Sequence, residues 1–133
     1  MSLNTHFNNI RSRVNTQIAT GQTVTVIYDN DPTAKPANSK WVRCTIVPLS
    51  RNIQELGASP QYRLEGELIL QCFVPVDEGE SALLPLVDAC EAAFAATSAN
   101  SVRYTTPYSL RMGRVGAEYQ IDVHCPFFIH ETL

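Results

Sequence analysis

Four cysteines and three histidines are the side chains of this chain that could act as nucleophiles or metal ligands. Their spacing decides between those roles and plain packing. Cys44, Cys72 and Cys125 each have Val, Ile, Leu or Phe two residues away on both sides, the pattern of a buried strand face. Cys90 falls on an apolar helical stripe with Leu83, Val87 and Phe94. No C-x-x-C pair is present, so free core thiols are expected. His124 precedes Cys125, but neighbours in a regular strand point to opposite faces and cannot bind one metal. His6 and His130 lie near the two ends of the sequence, where solvated imidazoles are expected. Glu65 and Glu67 would share one strand face, which suits either acid–base work or a solvated surface. G-x-S-x-G, H-E-x-x-H, G-x-x-x-x-G-K and G-x-G-x-x-G are all absent, and the glycines of GRVGAE read as a turn. The expectation is a chain without a catalytic constellation, metal or cofactor.

The elements that must hold these side chains follow from composition and periodicity. The 133 residues are 44% hydrophobic and 17% charged, too apolar for disorder and too poor in charge for a long solvated helix. One domain spanning residues 1–133 is expected. Ten Lys and Arg against 13 Asp and Glu give a net charge of −3, which argues against a dedicated phosphate-backbone binder. The longest apolar run, Leu68 to Val76, is broken by Gln71 and Pro75 and is too short to span a membrane. The start, MSLNTHFNNIRSR, lacks a leader pattern, and a protein that stays where it is made is expected.

Leu3, Phe7, Ile10, Val14 and Ile18 recur at helical steps, with Ser2 or Asn4 placed to cap the start and Gly21 to end the helix. TVTVIY (23–28) reads as a strand, and DNDPTAKPANSK (29–40) as a long loop with no apolar periodicity and almost no apolar residue to anchor it. WVRCTIVP (41–48) alternates as a strand. A polar connection follows, and YRLEGELILQCFV (62–74) alternates again. Acids at 77, 78 and 80 precede a second helix, in which Pro85 demands a start within about one turn. A strand near Val102 to Tyr104 and a hairpin with arms near 109–115 and 117–128 complete the chain. The order predicts an α+β fold, with two main helices on a mostly antiparallel sheet.

Charge is segregated along the sequence. Residues 64–102 hold Glu65, Glu67, Asp77, Glu78, Glu80, Asp88 and Glu91 with no Lys or Arg, whereas residues 1–28 hold Arg11 and Arg13 with no acid. Residues 103–114 hold Arg103, Arg111 and Arg114. Chance on a solvated surface accounts for this, and so do complementary faces of a head-to-tail assembly. The loop residues Asp29, Asn30, Asp31 and Lys35 are candidates for partner contact. Trp41, Arg43 and Arg63 join them, being of the types that dominate interfaces, although a Trp at a strand start also suits a core plug.

Taken in order, the initial helix, the strand into DNDP, WVRCTIVP, YRLEGELILQCFVPVDEGES, VDACEAAF and RVGAEYQIDVHCPF resemble the tail terminator (tail completion) proteins of long-tailed bacteriophages. That group includes a phage-related domain of unknown function. The most telling parts are Trp41-Val42-Arg43 and Gly66-x-Leu68-x-x-Gln71-x-Phe73-x-Pro75 followed by Gly79. The resemblance implies a virion protein assembled in the host cytoplasm, forming a ring of six copies on the tail tube. The ring ends tube growth, meets the head-completion proteins and lets DNA through its lumen without specific binding or cofactor. Glu65 and Glu67 are the lumen candidates. A head-to-tail adaptor or tube subunit is the near alternative, and a small Cys/His enzyme or ligand-binding domain is the alternative of another class.

Overall fold

The computed structural model describes residues 3–29, 31–32, 34–36 and 39–132, with only the backbone of Asp77. Helix α1 (Leu3–Val14) runs into a π-helical segment at Asn15–Thr20, and both present Ile10, Val14 and Ile18 to the core without exposure. Of the two expected caps, Ser2 lies outside the described residues and Asn4 sits within the helix, where its side-chain oxygen accepts from Asn8. Gly21 follows the π segment with right-handed φ of −63°, so it is not a left-handed stop. Space explains this glycine: a Cβ there would lie 2.5 Å from the Gln17 carbonyl oxygen.

The strands are β1 (Thr25–Tyr28), β2 (Trp41–Glu55), β3 (Gln61–Pro75), β4 (Ser98–Ala99), β5 (Val102–Tyr104), β6 (Tyr108–Val115) and β7 (Glu118–Thr132). They form one sheet in the order β1-β2-β3-β7-β5-β4, with β6 also paired to β7. Only β1–β2 is parallel, so the fold is α+β with a mixed, mostly antiparallel sheet. Helix α2 (Glu80–Ala93) and α1 pack on one face against Val42, Cys44, Leu68, Leu70, Cys72, Val123 and Cys125. Pro85 is the sixth residue of α2, slightly deeper than a first turn, and has no N–H for the Ser81 carbonyl four residues back. Arg13 donates to the Ala93 carbonyl through Nε and Nη2 at 3.0 and 2.6 Å, so α1 ties down the C-terminal end of α2. No described helix is long and apolar enough to cross a membrane.

The polar connection expected after Pro48 is instead strand. Strand β2 continues to Glu55 and pairs with β3 through bulges between Pro48 and Ser50 and between Ile53 and Glu55. Every residue from Pro48 to Ser59 is exposed, so both faces of this stretch meet solvent. Such a strand loses the apolar alternation that marks a half-buried one. The result is an arm whose far side is completed by the end of β7.

Candidate assembly surfaces

The face of the sheet away from the helices carries the side chains singled out in the sequence. At one end Trp41 stacks on Phe73, with centroids 4.3 Å apart, and Ile27 completes a second small core. Trp41 is 2% exposed and its indole N–H donates to Glu118 Oε2 at 2.5 Å, so it is a core plug rather than an exposed anchor. Lys35 donates to the other oxygen of Glu118 at 3.0 Å, and Thr45 donates to Asp29 at 3.0 Å. The loop is therefore anchored at two points by polar bonds, which the lack of apolar residues had concealed. Arg43 stands exposed over the Trp41 ring at 5.4 Å. Asp29, Asp31, Lys35, Trp41 and Arg43 line one concavity of about 390 Å³, and Lys35, Trp41 and Arg43 also border a second of about 450 Å³. Asn30 lies outside the described residues.

Arg63 does not join this group. It pairs with Glu65 at 2.8 Å and lies 4.0 Å from the centre of the Phe128 ring, at the other end of the face. Between the two ends, Glu67 pairs with His124, whose ring stacks on Tyr108, and the Tyr108 hydroxyl donates to the same carboxylate. Both lumen candidates thus have basic neighbours: the side chain of Glu65 is 45% exposed beside Arg63, that of Glu67 only 19% beside His124. On the helix side, Glu80 takes Arg111 at 2.8 Å and the Tyr119 hydroxyl at 2.6 Å, while Glu91 accepts from Ser109. Part of the charge that is segregated along the sequence is therefore matched within the chain.

All four thiols are buried and unpaired as disulfides. Burial pushes Cys44 up to about 12 and raises Cys125 further, while the contact with Cys90 and then burial raise Cys72. None of these three is poised as a thiolate. Among the described residues no cluster of three His, Cys, Asp or Glu is placed to hold a metal ion.

One polar cluster escaped the sequence reading. His6 is 1% exposed, and its Nε2 carries the proton that a carboxylate can only accept, bonding Glu131 Oε2 at 2.6 Å. Arg51 donates to Glu131 Oε1 at 2.7 Å. Burial pushes the Glu131 carboxyl up, but the bonds from His6 and Arg51 and the guanidinium charge outweigh it and hold it below its usual value. The signal was present: His6 precedes Ile10 and Val14 at four-residue steps, and Glu131 continues the inward parity of Phe127 and Ile129.

Among the described residues, the exposed large apolar side chains gather at two places, Leu49, Ile53 and Leu56 on the arm and Tyr108, Leu110, Met112 and Val115 on β6. Outside these, Leu3 and Leu84 stand alone.

No protein-family model matches the chain, and no curated protein matches it. Among the solved structures that do match is one whose name carries no statement of function. It superposes with a TM-score of 0.70 over 92% of this chain and 94% of its own, at 14% identity. That likeness establishes a shared fold.

Proposed function

We propose that this chain is a ring-forming tail terminator of a long-tailed bacteriophage, a structural protein that caps the tail tube and offers a joining surface to the head. The observation that carries the reading is the arm, exposed from Pro48 to Ser59 and bearing Leu49, Ile53 and Leu56. A strand pair that leaves the core with apolar side chains in water is costly for a free-standing enzyme and useful to a subunit that will be covered. The order of sequence segments that resembles tail terminators supports the same reading. The concavities around Lys35, Trp41 and Arg43 supply a shaped, charged surface for a tube or connector protein. Here Trp41 shapes the surface from below while Arg43 and Lys35 meet the partner. In a lumen, the half-exposed Glu65 side chain would stand beside the Arg63 guanidinium, and Glu67 beside the His124 ring. Sedimentation of the isolated protein and imaging of assembled tails test the reading. A monomer or weak associate in dilute solution and a six-fold ring on tail tubes are expected. A stable two-fold dimer in both settings contradicts it, and growth into long tubes favours a tube subunit.

A further inference from the structure

Besides the outer edges of the short end strands β1 and β4, the sheet is open along lengths of β2 and β6 among the described residues. Strand β1 covers β2 only from Trp41 to Cys44, so the outer edge of β2 is open from Thr45 through the arm to Glu55. Strand β6 pairs with β7 alone, and its outer edge is open from Tyr108 to Val115. Edge strands in monomers are normally guarded by charge, proline or burial. Here the arm and β6 carry, beside Arg51, Glu55, Arg111 and Arg114, seven of the nine large apolar side chains left exposed among the described residues, with Leu56 just past the end of β2. They lie on opposite sides of β3 and β7, which rules out their covering each other within one chain.

We propose that the arm of one copy docks along the open edge of β6 in the next copy, so that the sheet passes from subunit to subunit. This deepens the ring reading and rests on it. A two-fold contact of β6 with β6 would cover one apolar patch and leave the arm in water, and arm with arm would do the reverse. A head-to-tail contact engages both open edges in every copy, and such contacts give rings where the rotation closes. Charge agrees with this choice: Glu55 on the arm and Arg114 on β6 are both exposed, and neither has an ion-pair partner among the described residues. Register adds a geometric condition. Strand β6 lies level with residues 118–124 of β7, whereas the arm lies level with residues 128–132. The step from copy to copy must therefore move along the strands as well as sideways, as tilted strands do in a closed barrel.

Asn52 and Leu110 face the same side of the sheet, opposite Arg63 and Asp122 respectively, and carry the test. Chains with Asn52→Cys and chains with Leu110→Cys are mixed on tails lacking this protein, then treated with a short flexible bismaleimide that the buried native thiols do not reach. Covalent dimers in the mixture, absent from either variant alone, are expected. Imaging of the same tails for rings keeps two failures apart. Rings without mixed cross-links, or with cross-links between Leu110→Cys chains alone, overturn the docking surface and leave the ring reading standing. Absence of rings on wild-type tails overturns both. As a second readout, the double variant Leu110→Lys with Val115→Lys should keep the wild-type melting temperature and weaken ring formation at least tenfold. Unchanged ring formation overturns the proposal.

Discussion

Glu131 shows how a single side chain can join parts of a fold that are far apart in sequence. It links α1 through His6 to the base of the arm through Arg51, and its own side chain has no exposure. Replacing it by Gln keeps the size but removes the charge that both neighbours bond. Glu131→Gln is expected to cost about 2–3 kcal/mol. Because the folded carboxyl sits below its ordinary value of 4.5, its stabilisation is complete above that pH and fades as pH falls through the folded value. Urea midpoints of wild type and variant should therefore differ at neutral pH and converge in acid; a constant gap would remove the charge from the account. The thiols were legible from sequence because each sits in an apolar alternation. In native protein they should resist alkylation, and all four should react after unfolding. The inward phase of His6 was readable from its four-residue steps to Ile10 and Val14, but its carboxylate partner lies 125 residues away and no local pattern names it.

Gly66 is an element-scale constraint, because it lets three strands lie close together at the base of the arm. A Cβ at this position would come within 2.6 Å of the Phe127 ring and 2.8 Å of the Val47 carbonyl oxygen, neither of which can retreat easily. Gly66→Ala should cost about 1–3 kcal/mol by overpacking, read as a lower denaturation midpoint with an unchanged slope. At the other end of the sheet, Glu118→Ala removes the acceptor of both Trp41 and Lys35. A loss of about 1–2 kcal/mol and faster amide exchange in residues 34–36 are expected, whereas unchanged exchange would mean the loop is held by something else. Both main helices and the long alternating strands could be read from the sequence, since each has a one-sided apolar pattern. The extension of β2 could not, because a strand wet on both faces carries no such pattern, and β4 is only two residues long.

At the scale of the whole molecule, the sequence carried the α+β class, while its charge pattern fitted a solvated surface and complementary faces equally. Blocks of like charge suggested complementary faces. In the fold, Glu80 meets Arg111, Glu65 meets Arg63 and Glu67 meets His124. The exposed apolar side chains gather along the arm and β6, beside charges such as Glu55 and Arg114 that have no ion-pair partner among the described residues, a placement set by strand order rather than by any one segment. The partner candidates divided in the same way, with Asp29, Asp31, Lys35, Trp41 and Arg43 gathered at one concavity and Arg63 far along the face. The central claim is that this protein ends the tail tube. Electron microscopy of particles assembled without it, by the phage that encodes it, tests that claim most directly. Full heads unattached to tails, together with tails of abnormal length, are the expected result. Tails of normal length joined to heads would contradict it.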